Sequence, residues 1–179
     1  MNSPIVRLSL AWLGLVALAS GPVAAASTLT IPPATAFGMK VVALHNRVRA
    51  QAGSPPIYWD GALARAADSY ALDLARTGRW GHSPRATRAG QGENLWMGTR
   101  GAFTVEQMVG AWASEGQLFR SGRFPQVSRN GDWEQVGHYT QMIWPGSLRV
   151  GCALRSSARD DYFVCRYSPA GNVMGVILP

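Results

Sequence analysis

Lysine is almost missing from this chain of 179 residues: Lys40 stands alone, so a formal net charge of +7 rests almost wholly on arginine. The arginines are dispersed (Arg47, Arg49, Arg65, Arg76, Arg79, Arg85, Arg88 and Arg100 among them) and gather on no single helix. That dispersion argues against a nucleic-acid reading head, so nucleic acid is not an expected partner, and it favours general affinity for anionic surfaces. Repeats and low-complexity tracts are absent, which excludes a solenoid or an array. No H-E-x-x-H pair occurs and no G-x-S-x-G elbow, so two familiar hydrolase frameworks are missing. Charged residues make up only 15% against 47% hydrophobic, which speaks against wholesale disorder and for a packed core in a single domain.

Long apolar runs are confined to the N-terminus. Arg7 supplies a positive start, Leu8 to Ala19 is an apolar stretch too short to span a bilayer comfortably, and Gly21-Pro22 breaks it before Ala24-Ala25-Ala26. This pattern predicts a signal peptide over residues 1–26, cut near Ala26-Ser27, and a secreted or periplasmic product. Cysteine is scarce: Cys152 and Cys165 are the only two, and an even count in an exported chain reads as a disulfide. Both flanks, RVGCAL and YFVCRY, are strand-like and are joined by the polar turn Arg155 to Asp161. Paired as a hairpin, the strands put both sulfurs on one side, in a bridge worth about 3 kcal/mol. Oxidation also removes the only thiol nucleophiles.

Helical periodicity marks three segments. Val41, Leu44 and Val48 recur over residues 36–50, and His45 beside that stripe reads as a core or cap histidine. Asp60 can cap a second helix over Gly61 to Thr77 with Leu63, Ala67, Tyr70 and Leu74 inward and Gly78 at its end. Thr104 and Gln107 form a capping-box pattern opening a third helix, whose stripe is Val105, Met108, Val109 and Trp112. Residues 79–101 and 117–136 read as irregular, and Thr140 to Ile143 as a short helix stopped by Trp144-Pro145. Helices followed by terminal strands predict an α+β fold.

Four residues stand in settings that suit no solvated charge. His82 follows Gly81, Glu93 precedes an apolar run, Glu115 continues the inward face three residues past Trp112, and His138 heads the octet GHYTQMIW. Two imidazoles and two carboxylates suit a divalent cation, zinc for example, with water completing the shell. They suit equally a self-satisfied network with each histidine donating to a glutamate, and separations of 11, 22 and 23 residues match no compact metal motif.

The segments GHYTQMIW, RVGCA, GENLWMG and CRYSPAGNVMG, together with ALHNRVRA in the first helix, resemble the signature segments of the CAP superfamily of cysteine-rich secretory, antigen 5 and pathogenesis-related proteins. The resemblance runs in order from Leu44 to Gly175. It implies a three-layer α-β-α sandwich with a central antiparallel sheet over residues 39–179, after a leader at 27–38, and a large surface cleft. By the same resemblance His82, Glu93, Glu115 and His138 are the family's cleft tetrad, with His82 and His138 as metal ligands, and Cys152 and Cys165 match a pair that relatives join. The extra cysteines and cysteine-rich module of many relatives are absent, and Ala170 stands where the usual Pro-Pro-Gly-Asn has its second proline.

Three functions compete. The first is an exported binding module holding a divalent cation and a small hydrophobic ligand, sterol or envelope lipid, with peripheral membrane contact; Phe124 and Trp133 suit lipid contacts and suit equally packing against the sandwich. The second is a metal-assisted, peptidase-like hydrolase using Glu93 or Glu115 as base; Ser83, beside His82, is a weaker nucleophile. The third is a structural or partner-binding envelope protein in which the tetrad is internal glue. No residue is assigned a catalytic role.

Overall fold

A computed structural model describes residues 35–179; the expected signal peptide and all but the last four residues of the expected leader lie outside the described residues. Helix α1 (Ala36–Gln51) begins inside that leader, with the Thr35 hydroxyl accepting the Gly38 N–H at 3.2 Å. Together with α3 (Val105–Ser114) and α4 (Gly137–Ile143) it covers one face of a sheet, and α2 (Gly61–Thr77) covers the other. The sheet order is β1 (Tyr58–Trp59), β4 (Arg149–Ser156), β5 (Asp160–Ser168), β2 (Gly92–Thr99). A separate ribbon pairs β3 (Gly122–Arg123) with β6 (Ile177–Leu178). These are the three layers of an α-β-α sandwich.

The sheet is mixed, not wholly antiparallel. β1 runs parallel to β4, with Tyr58 opposite Arg149 and Trp59 opposite Val150, while β4, β5 and β2 are antiparallel to one another. The direction of β1 is set by its place between α1 and α2, and no hairpin constrains it.

Strand alternation sorts the core. Val150, Cys152, Phe163, Cys165 and Tyr167 face Val41, Met108, Val109, Trp112 and Met142. Ala153, Tyr162, Val164 and Leu95 face Ala67, Ala71 and Leu74 of α2. Cys152 and Cys165 are direct register partners on the first face and are joined as a disulfide, with Cα atoms 4.1 Å apart.

The expected caps are present. The Asp60 carboxylate accepts the N–H groups of Ala62 and Leu63 at 2.8 and 2.9 Å, and Thr104 and Gln107 form the reciprocal capping box. The start of α2 lies so close to β4 that a Cβ on Gly151 would meet Ala64 N at 2.1 Å and Asp60 O at 2.5 Å. Both neighbours are backbone, so Gly151→Ala must push the helix off the sheet. We expect a loss of about 2 kcal/mol, seen as a fall of roughly 6 °C in thermal midpoint; an unchanged midpoint would show that the helix shifts freely.

Two segments read as irregular are ordered. β2 pairs with β5 along its whole length. Its first four residues are buried on both faces, and Gly92, Glu93, Asn94 and Gly98 interrupt any apolar alternation, so nothing periodic marks it. Within residues 117–136, Phe124 and Val127 join Val136, Trp144 and Leu178 in a third cluster. Phe124 is 1% exposed, held edge-on between Trp133 and Trp144, so it offers no lipid contact, whereas Trp133 keeps a partly open face. Finally, α4 starts at Gly137, three residues before the expected helix, so His138 and Tyr139 lie in its first turn.

Candidate functional site

The polar residues of α1 pin the chain from within. The Asn46 side chain pairs both ways with the Ile57 backbone, at 2.7 and 3.0 Å. His45 is fully buried: Nδ1–H donates to the Val41 carbonyl at 2.9 Å, which leaves Nε2 to accept the Tyr167 hydroxyl at 2.8 Å. That hydroxyl accepts from Asn94, which also donates to the His138 carbonyl. Arg49, also fully buried, donates to the carbonyls of Pro55, Met142, Trp144 and Ser147. It thus clamps the C-terminal end of α4, where carbonyl oxygens lack intrahelical donors. Arg49 and Arg166 are therefore interior groups, not members of a scattered cationic surface.

Above this foundation lies a cleft of about 1030 Å³. One wall is the segment from His82 to Asn94 with Arg85 and Arg88, another is Trp133, Glu134, Gly137 and His138, and a third is the tail from Ala170 to Met174. Gln141 bolts these walls together: its amide oxygen accepts the Gly171 N–H at 2.9 Å, and its nitrogen donates to the Ser147 hydroxyl at 3.1 Å. A Cβ on Gly92 would lie 2.0 Å from that amide oxygen, so any side chain there would displace the Gln141 amide from its two bonds. Asn172 ties the tail to α4 through Thr140 Oγ1 and the Gly137 carbonyl.

The tetrad resolves into two histidine–glutamate pairs. Nδ1 of His82 bonds Glu93 Oε1 at 2.7 Å, and Nδ1 of His138 bonds Glu115 Oε1 at 2.6 Å. Glu93 has no exposed side chain; it also accepts from the Ser83 N–H and hydroxyl and pairs with Arg166, its register partner on β5, at 3.0 Å. Burial alone would raise the Glu93 carboxyl, but the bond with His82, the Arg166 charge and the two Ser83 donors outweigh it and hold it below the usual carboxylate range. Glu115 begins the turn after α3 and caps α4 from outside, accepting the N–H groups of His138 and Tyr139 at 3.0 and 3.1 Å. Trp112 stacks on the His138 ring at 5.9 Å.

His82, Glu93 and His138 line the cleft; Glu115 stands behind His138 and does not. Among the described residues no three His, Cys, Asp or Glu side chains come close enough to share one ion. The physical reason is that each glutamate spends its oxygens on its own histidine and on neighbouring donors. Ser83 is 3% exposed with its hydroxyl given to Glu93, so it is no free nucleophile. Sequence reasoning missed Arg88, Asn94, Gln141 and Asn172; their residue types alone carry no signal, because each is defined by a partner elsewhere in the chain.

Residues 42–167 match the model of the cysteine-rich secretory protein family. The chain is 36% identical to pathogenesis-related protein 1C of Nicotiana tabacum over 132 residues, 73% of this chain and 74% of the relative. It is 36% identical to pathogenesis-related leaf protein 4 of Solanum lycopersicum over 135 residues, 75% of this chain and 78% of the relative. In fold it is similar to the crystal structure of NaASP2 with Zn2+, at a TM-score of 0.64 and 24% identity, covering 80% of this chain and 85% of that one. The chain belongs to the cysteine-rich secretory protein, or CAP, family.

Proposed function

We propose that this is an exported binding protein whose cleft holds a divalent cation through His82 and His138 and takes a small hydrophobic or envelope lipid beside it. One observation carries this reading. Both imidazoles line one cleft, and each has Nδ1 tied to a carboxylate, which leaves Nε2 without a partner among the described residues. A carboxylate behind a histidine orients the ring and raises its basicity as a ligand. With two protein ligands, the rest of the shell falls to water or to the guest. The Zn2+ in the NaASP2 structure supports the choice of zinc as the first ion to test. Trp133, Val173 and Met174 supply apolar wall for a hydrophobic guest. Export is supported by the apolar N-terminal run and by the disulfide. The glutamates are poorly suited to act as a base, because both are saturated with donors, so the geometry favours holding a cation over taking a proton.

Zinc titration by calorimetry tests the reading. His82→Ala and His138→Ala each weaken binding at least about a hundredfold, and Glu115→Gln, which loosens the His138 ring and the cap of α4 behind the ion, about tenfold. Should both alanine variants leave the isotherm unchanged, the pairs are internal glue. Native mass spectrometry of the same samples reports any lipid that co-purifies.

A further inference from the structure

The turn that leads into β6 carries an unusual run of exposed apolar side chains. Val173 is 47% exposed, Met174 65%, Val176 38% and Ile177 64%. Single exposed apolar residues are ordinary on a protein surface, but four within five positions are not. The turn is firmly pinned. The Phe124 N–H donates to the Val176 carbonyl at 2.8 Å, the Gly175 N–H donates to the Phe124 carbonyl at 2.9 Å, and the Arg123 guanidinium donates to the Gly175 carbonyl. Phe124 itself is locked in the third core cluster, so the apolar tip is held out by a buried anchor.

Cations border the tip. Arg123 is the register partner of Ile177, which places a guanidinium stem beside an apolar side chain. Across the cleft mouth, which Val173 and Met174 also line, stands exposed Arg85. Neither arginine has a carboxylate within ion-pair distance among the described residues. One exposed carboxylate, Glu134, lies on the facing wall. Apolar side chains flanked by cations without a carboxylate partner match the boundary of an anionic bilayer, where acyl chains meet phosphate.

We propose that this tip is a membrane-docking surface, which seats Met174 and Ile177 at the headgroup boundary of an anionic bilayer while Arg85 and Arg123 meet its phosphates. The cleft mouth then opens onto the lipid, since Val173 and Met174 belong to both. The proposal rests on the extracytoplasmic reading above, but not on the cation.

The test is flotation of the full chain with phosphatidylcholine vesicles, with or without about 30% phosphatidylglycerol. The apolar run from Leu8 to Ala19 is common to parent and variant, so their difference isolates the tip. The parent should bind the anionic vesicles, more weakly as salt rises. The double variant Met174→Asp/Ile177→Asp should bind them at least about tenfold more weakly. Both side chains are mostly exposed, so an unchanged circular dichroism melt is expected and confirms folding. Equal binding by parent and variant, or a parent–variant difference of the same size on neutral and anionic vesicles, overturns the proposal. Self-association of the parent that the same substitutions abolish also overturns it, giving the tip to a second copy. Zinc titration of the double variant separates the two readings: intact zinc binding with lost vesicle binding leaves both standing, and absent zinc binding in a parent that floats with vesicles removes the cleft cation alone.

Discussion

Arg49→Met is expected to lower stability by about 4 kcal/mol, a drop of about 2 M in the urea midpoint. The guanidinium is fully buried and gives its donors to four carbonyls, from Pro55 at 2.6 Å to Ser147 at 3.1 Å. Burial pushes its pKa down to about 10, so it stays charged at neutral pH. Two effects compete on removing it. Methionine spares the cost of burying a cation, which favours the variant. Against that, the buried bonds to the Met142, Trp144 and Ser147 carbonyls and the part-buried bond to Pro55 are lost, at about 1–3 kcal/mol each where the backbone cannot turn to water. The second is larger, because Met142 and Trp144 are held in the core and only the Trp144 carbonyl keeps another donor, the Ser147 N–H at 3.1 Å. Arg49→Lys should fall between, since an ammonium cannot reach four acceptors in the geometry of a planar fork. The same loosening frees the helix that carries His138, so the zinc affinity proposed for the cleft should fall with stability. A midpoint for Arg49→Met close to that of the parent would mean that α4 is held by packing alone.

Acidification is expected to weaken the fold through His45. Burial is the main cause that drives its pKa from 6.5 to about 4, with the Arg49 charge adding to it and the Val41 carbonyl opposing. The folded-state pKa is depressed, so the unfolded chain binds the proton more readily at any pH between these two values. Stability from this group is therefore complete above pH 6.5, falls as pH drops, and is gone below about 4. The loss is on the order of 3 kcal/mol. Glu93, also depressed, loses its share only as pH falls below its ordinary 4.5, so the His45 window is met first. Urea unfolding at pH 7 and pH 5 resolves the two. A His45→Asn variant should be less stable at pH 7, yet show a flatter fall toward pH 5 than the parent. Parallel slopes in parent and variant would place the acid response elsewhere.

Both effects arise in α1, where the helical period placed His45 near the apolar stripe but left Arg49 looking like surface charge. The difference is one of range. His45 bonds the carbonyl of Val41 one turn away, whereas the partners of Arg49 in and just after α4 lie 93 to 98 residues on. Likewise Glu93 was conspicuous beside an apolar run, but Arg166, which neutralises it, looked like any other arginine until β5 set it opposite. β2 went unread because burial on both faces erases the alternation that reveals a strand.

What the chain determined by itself is what closes over a few residues: the caps at Asp60 and Thr104, the helical stripes, the facing strands of the two cysteines, and the identity of His82, Glu93, Glu115 and His138 as residues out of place. Tertiary structure alone decided that these four divide into two pairs, that Glu115 stands behind the cleft instead of in it, that Phe124 is core, and that β1 runs parallel to β4. Caps and stripes depend on hydrogen bonds and burial within a turn or two of the backbone. Which carboxylate meets which imidazole depends on how the layers stack, and on glycines such as Gly92 and Gly151 that let them approach.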